Sequence, residues 1–266
     1  MSQRLQQMKT IVFIGFFVVG VCVSGMAQTG RINDYNSIGW YTYFGNYRFS
    51  DRFSLHAEYQ WRRTPVITNW QQSLLRVGLN YHWKPSILFR AGYAWAETFA
   101  YGEIPINSYG KNFTEHRIFE MVQLSHQEDR FDFVHRFMLE QRWIGKYSSA
   151  LADKEDEYVR TNRVRYLFRT VYRLRQDARK FPVPYLAVYD EILIGFGKNV
   201  AVNIFDQNRF GFLVGARLNA NWALEGGYLN QIQQLSRWVS GQSVMHYNHG
   251  IILSAWHTVD WRKKKK

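Results

Sequence analysis

The sequence predicts an all-β fold, a transmembrane antiparallel up-and-down β-barrel of about twelve strands, with ten as the alternative. Three observations carry that prediction. Residues alternate between apolar and polar with period two over long stretches, as strands do when their two faces meet different surroundings. Aromatic residues make up 17% of the 266-residue chain, a level suited to a barrel with interfacial girdles. Mean hydropathy is only −0.37, and no apolar run beyond the N-terminus nears the ~18 residues of a membrane helix. A membrane-spanning chain of this kind crosses as strands.

The longest alternation covers residues 162–175. Val164, Tyr166, Phe168, Thr170, Tyr172 and Leu174 share one face; Arg163, Arg165, Leu167, Arg169, Val171, Arg173 and Arg175 share the other. An arginine turned to lipid at mid-bilayer costs about 2–4 kcal/mol, so the arginine face is assigned to a lumen.

Residues 1–27 read as a secretory signal peptide. Arg4 and Lys9 supply the positive start, residues 11–23 the apolar core, and Gly25-Met26-Ala27 a small-x-small cleavage site. The barrel is assigned to 28–261 and a basic tail to 262–266. Export then places the protein in the outer membrane of a Gram-negative bacterium. The single cysteine, Cys22, lies in the apolar core of the signal. Val21 stands before it where a lipidation site needs a small residue, and cleavage after Ala27 leaves no cysteine for a disulfide.

In chain order, residues 37–44 open the barrel pattern and 45–51 turn it. Residues 53–62 alternate most cleanly: Phe53, Leu55, Ala57, Tyr59 and Trp61 oppose Ser54, His56, Glu58, Gln60 and Arg62. After a loop holding Pro65, the row Ser73, Leu75, Val77, Leu79, Tyr81, Trp83 opposes Leu74, Arg76, Gly78, Asn80 and His82. Lys84-Pro85-Ser86 turns into a strand where Ile87, Phe89, Ala91, Tyr93 and Trp95 oppose Arg90, Gly92, Ala94 and Ala96. A long loop spans about 98–112. The strand at about 113–126 alternates poorly, and its faces stay unassigned. Next, Phe131, Phe133, His135, Phe137, Leu139 and Trp143 oppose Asp132, Arg136, Glu140 and Arg142. An acidic loop, 144–157, leads into the arginine strand.

Residues 176–184 turn. The strand at 185–196 is ambiguous, because Asp190 and Glu191 are adjacent and so on opposite faces. After a loop at 197–204, Phe210, Phe212, Val214, Ala216 and Leu218 oppose Arg209, Gly211, Gly215 and Arg217. Asn219-Ala220-Asn221 turns into a row of Trp222, Leu224, Gly226 and Tyr228 against Ala223, Glu225, Gly227 and Gln231. A loop containing Ser and Gly precedes a last strand at about 246–256. These are about eleven segments. Single-chain bacterial barrels carry even numbers of strands, which makes twelve with one missed the expectation. Trp40, Trp61, Trp83, Trp95, Trp143, Trp222 and Trp256 fall near strand ends, as girdle residues do.

The order of several stretches resembles one family. I-G-W-Y-T-Y-F-G-N-Y-R-F-S-D-R-F-S-L-H-A-E-Y-Q-W-R-R at 38–63 is similar to its opening hairpin. E-H-R-I-F-E at 115–120, H-R-F-M-L-E-Q-R-W at 135–143, F-D-Q-N-R-F-G-F-L-V-G at 205–215 and E-G-G-Y-L-N-Q at 225–231 are similar to its later strands. The family is a set of exported, mostly Bacteroidota proteins labelled as a domain of unknown function (family 2490). The resemblance implies an outer-membrane barrel and carries over no catalytic residue.

The formal charge is +13. A basic chain can bind nucleic acid, but the export signal and the alternating strands argue against that partner. The tail Arg262-Lys263-Lys264-Lys265-Lys266 suits anionic head groups of outer-membrane lipids, or solvation. No motif points to a protein partner. The lumen face collects Arg62, Arg76, Arg90, Arg136, Arg142, Arg163, Arg165, Arg169, Arg173, Arg209 and Arg217. Fewer acids join them: Glu58, Glu140, Glu225 and, if its strand is so turned, Glu191.

Two function classes follow. One is a structural or assembly barrel whose lumen is mostly closed by arginine–carboxylate forks. The other is a narrow anion-preferring channel, or a binding barrel for small anionic solutes. A membrane-lipid-modifying enzyme is a distant third. Ser54, His56 and Glu58 share a face, but they read better as a polar lumen row than as a nucleophile set. His246 and His249 fall on opposite faces, and no cluster has metal-ligand spacing, so no cofactor is expected.

Overall fold

The computed structural model describes residues 30–175, 177, 180–200 and 204–262. The signal peptide read at 1–27 and the lysines of the tail lie outside these residues. Among the described residues are eleven strands and no helix. They are β1 (Arg31–Arg48), β2 (Phe53–Thr64), β3 (Asn69–Lys84), β4 (Ile87–Thr98), β5 (Phe113–Glu128), β6 (Phe131–Lys146), β7 (Glu157–Arg173), β8 (Val183–Phe196), β9 (Phe205–Arg217), β10 (Trp222–Val239) and β11 (Gln242–Asp260). Each pairs with its neighbours in chain order, and the sheet closes on itself.

Closure is where the fold departs from the even, antiparallel expectation. β1 and β11 pair in parallel, in unbroken register from Arg31 opposite Ser243 to Arg48 opposite Asp260. All other neighbours pair antiparallel. An up-and-down circuit with an odd number of strands must bring its first and last strands together pointing the same way. The eleven segments visible in the alternation are therefore the barrel, and no twelfth is needed to remove its edges.

The connections gather at two ends. The turn end holds 49–52, 85–86, 129–130, 174–182 and 218–221; the loop end holds 65–68, 99–112, 147–156, 197–204 and 240–241. The last of these replaces the loop expected before the final strand. Ser240 and Gly241 have φ of 50° and 74°, the paired positive values of a two-residue type I′ turn. β10 and β11, with β1 alongside β11, consequently run on past their neighbours β9 and β2.

Inside and outside follow the period-two rule. Leu55, Leu75, Val77, Leu79, Ile118, Phe137, Val164, Phe168, Phe212, Val214 and Leu253 are exposed on the outer face. Their rows make a continuous apolar belt, far beyond the patches of a water-soluble monomer. The interior is packed rather than empty. Ile38, Trp40, Tyr185, Ala187, Tyr189, Leu213, Leu229 and Ile252 form one buried cluster along the β1 and β8–β11 wall. Phe119, Met121 and Met138 form a second. Trp40 thus faces the lumen, 3% exposed, and Trp256 stacks on Phe44 at 4.0 Å; neither is a girdle residue of the outer face.

The β4–β5 loop folds inward over the loop end. Tyr101 is buried and lies within 3.2 Å of Asn248 Nδ2, and Ile104 O lies 2.9 Å from His246 Nε2. Ile104 N donates to Asp34 at 3.1 Å, and Arg237 Nη2 donates to Pro105 O at 2.7 Å. The extended β10–β11 hairpin carries Arg237, so its extra length has a visible use.

Candidate functional site

Strand pairing concentrates opposite charges at the middle of the lumen. β6 and β7 set Glu140 opposite Arg163 and Met138 opposite Arg165, which places one carboxylate between two arginines that are i and i+2 on one face. Neighbours so spaced lie about 7 Å apart and would repel each other without an acid between them. Glu140 is 0% exposed. Its Oε2 accepts from Arg163 Nε at 2.8 Å and Nη2 at 2.5 Å, and its Oε1 from Arg165 Nη1 at 2.9 Å. Arg76 of β3 reaches the same Oε1 at 3.5 Å and donates to Glu58 of β2 at 2.7 Å. β3 and β6 are not neighbours in the wall, so this pair crosses the lumen.

Other bridges also skip strands. Arg163 pairs with Asp206 of β9, and Arg136 of β6 reaches Glu191 of β8 at 2.9 Å. Glu191 is also held by Arg165 at 2.7 Å and by Arg209 at 3.4 Å. Arg169 of β7 donates to Glu225 of β10 at 2.6 Å, and Tyr185 donates to the same carboxylate at 2.9 Å. Charge-assisted forks of this kind are the strongest hydrogen bonds a protein makes, and here they join walls that the sheet does not.

Toward the loop end, Glu115 is 2% exposed and bound by two arginines. Arg117 grips it with bonds of 2.7 and 2.9 Å, and Arg142 adds Nε and, at 3.2 Å, Nη2. Beside them lies a chamber of about 130 Å³ whose wall includes Arg62, Arg117, Arg142, Arg163 and Arg209, with Glu115 and Asp206. Toward the turn end, Arg90 bonds Asn80 at 2.6 Å. Arg173 donates to Asp129 O at 2.5 Å and lies 3.6 Å from Asp132. Arg217, exposed at the end of β9, sits over the Phe181 ring at 5.6 Å. Arg169, Arg173 and Arg217 line a cavity of about 510 Å³ there.

Of the lumen residues expected from sequence, Arg76, Arg136, Glu140, Arg142, Arg163, Arg165, Arg169, Arg209 and Glu225 meet in carboxylate pairs. Arg62 and Arg90 are inside but bonded to neutral amides, and Arg173 and Arg217 lie near the turn-end rim. Sequence reasoning missed Glu115, Arg117 and Asp206. Glu58 and Glu191 prove to be inside and buried. The row Ser54, His56, Glu58 does not assemble as a relay. Ser54 Oγ donates to Asn46 Oδ1 at 2.8 Å and lies 2.9 Å from His82 Nε2, while His56 Nε2 is 3.3 Å from Glu58. Among the described residues no group of three or more His, Cys, Asp and Glu could hold a metal ion. Arg262 of the tail turns back to Asp260 and to Asp51 at 2.7 Å.

Residues 38–239 match the profile of the family described as Protein of unknown function (DUF2490). No curated protein matches the chain. Among solved structures, a NanC porin in a rhombohedral crystal form is similar at 11% identity and a TM-score of 0.42, covering 78% of this chain and 92% of that one.

Proposed function

Starting from the family of unknown function to which the chain belongs, we propose that it is an outer-membrane β-barrel scaffold whose lumen is closed by its own arginine–carboxylate network. The belt of exposed apolar side chains around a wall without edges supports a membrane setting. One observation carries the closed lumen: Glu140, 0% exposed, ties β6 to β7 and, through Arg76, to β3 across the interior. The buried clusters around Trp40 and Phe119 occupy further parts of the interior.

Such a barrel serves as a support or assembly element in the membrane, not as a path through it. The full-length protein reconstituted in a planar bilayer is expected to show no stable current. A steady anion-selective current that falls in an Arg165→Gln/Arg169→Gln double variant would replace the scaffold with a narrow anion channel.

A further inference from the structure

Arg62 is 5% exposed, yet among the described residues no carboxylate lies within ion-pair distance of it. Its hydrogen-bond partners are neutral. Gln60 Oε1 accepts from Nε at 2.8 Å and from Nη2, and Gln72 Oε1 accepts from Nη1 at 2.8 Å. The Trp40 ring lies 3.7 Å from its guanidinium carbon. Arg209 approaches the same ring at 5.1 Å. It gives Nε and Nη2 to Gln207 and meets Glu191 only at 3.4 Å, where Arg136 and Arg165 already bind.

The acids of the chamber are committed elsewhere. Glu115 is held by Arg117 and Arg142, and Asp206 by Arg163. An amide oxygen satisfies a donor but does not balance a charge. A guanidinium does not lose its proton in a protein, and a buried charge without a counter-charge is costly. The wall of the same chamber includes Thr161, whose buried hydroxyl has no hydrogen-bond partner. Surplus positive charge, an unpartnered hydroxyl and about 130 Å³ of space therefore coincide.

We propose that this chamber binds a small oxyanion of the phosphate type, with Arg62 and Arg209 as its charge partners and Thr161 as a further donor. A water needs about 10–15 Å³ of such space, so the chamber has room for one phosphate group. The planar fork of arginine matches the oxygens of such a group. The group arrives either as the free ion or as the end of a phosphomonoester. The site lies on the loop side of the Glu140 bridge and does not depend on whether the barrel conducts, so it stands or falls separately from the closed scaffold.

The test is calorimetric titration of the full-length protein in detergent, in phosphate-free chloride buffer, with inorganic phosphate and with glycerol phosphate in parallel. Saturable binding of inorganic phosphate is expected; equal binding of the ester assigns the group to a larger phosphorylated molecule, and exclusion of the ester assigns it to the free ion. Arg62→Gln is expected to weaken binding at least tenfold. Gln72→Glu places a carboxylate against Arg62 and is expected to abolish binding while raising the phosphate-free unfolding midpoint. That combination is not expected of a residue that merely packs the lumen. Arg173→Gln, near the turn-end rim, should leave binding unchanged. Absence of saturable phosphate binding by the wild type, or full retention of it in Gln72→Glu, overturns the site.

Discussion

Replacing Glu140 with glutamine keeps the shape of the side chain and removes its charge. Two consequences follow in the lumen. The amide Nε2 is a donor, so either Arg163 at one oxygen, or Arg165 and Arg76 at the other, faces a donor where it had an acceptor. A hydrogen bond to a charged group is worth about 1.5–3 kcal/mol, and Arg163 or Arg165 loses at least one. The network also gains an uncompensated positive charge at a position that is 0% exposed. Breaking a buried pair costs about 3–5 kcal/mol when it strands the partner. Here each arginine keeps one acid: Arg163 keeps Asp206, Arg165 keeps Glu191 and Arg76 keeps Glu58. The loss should therefore lie near the lower bound, about 3 kcal/mol. With urea slopes of about 1–3 kcal/mol/M, the unfolding midpoint of Glu140→Gln in lipid vesicles falls by about 1–3 M. Arg217→Gln, at an exposed end of β9, is the control and should stay within about 0.5 kcal/mol. A midpoint for Glu140→Gln equal to that of the control would show that water, and not Glu140, compensates the central arginines.

Three further outcomes are expected. Phe168→Arg turns a charge onto the outer belt and should lose about 2–4 kcal/mol if it sits near mid-bilayer, seen as lost heat-modifiability on a gel; Arg173→Gln, on the lumen face of the same strand and near a part-exposed Asp132, should fold more readily, and equal tolerance of both would refute the assigned faces. Gly250→Ala should destabilise by roughly 1–3 kcal/mol in thermal unfolding, because a Cβ there would run into the carbonyl oxygen of Ile38 on β1; an unchanged midpoint would mean that the β1–β11 seam relaxes. Intact mass of the exported protein should correspond to a chain beginning at Gln28, and a retained signal segment or lipid on Cys22 would exclude cleavage after Ala27.

How far the fold was legible depended on how cleanly each strand separates its surroundings. β2 and β7 were plain because their outer rows are apolar and their inner rows are polar or cationic. β5 was opaque because both of its rows are mixed. Its inner row runs Glu115, Arg117, Phe119, Met121, since the lumen there passes from ionic to apolar packing. Its outer row carries Glu120, which accepts from Gln141 at 3.3 Å on the adjacent strand. Hydropathy alternation cannot see a face whose polar groups are satisfied laterally, so Glu115 and Arg117 went unassigned. β8 failed for the opposite reason. Its inner Tyr185, Ala187 and Tyr189 belong to the apolar cluster, which makes both faces read alike. Asp206 was hidden by a register shift at Leu193/Ile194, near which Asp206 and Gln207 are both buried. Cross-lumen pairs such as Arg76–Glu140 join residues far apart in sequence and leave no local trace.

The parallel seam between β1 and β11 also decides which side of the barrel each end of the chain reports from. Arg31 begins at the loop end and Asp260 finishes at the turn end. In the proposed membrane setting, a protease site introduced just before Arg31 and another just after Asp260 would then be cut from opposite faces of the bilayer. In a barrel with an even number of strands, both would be cut from the same one.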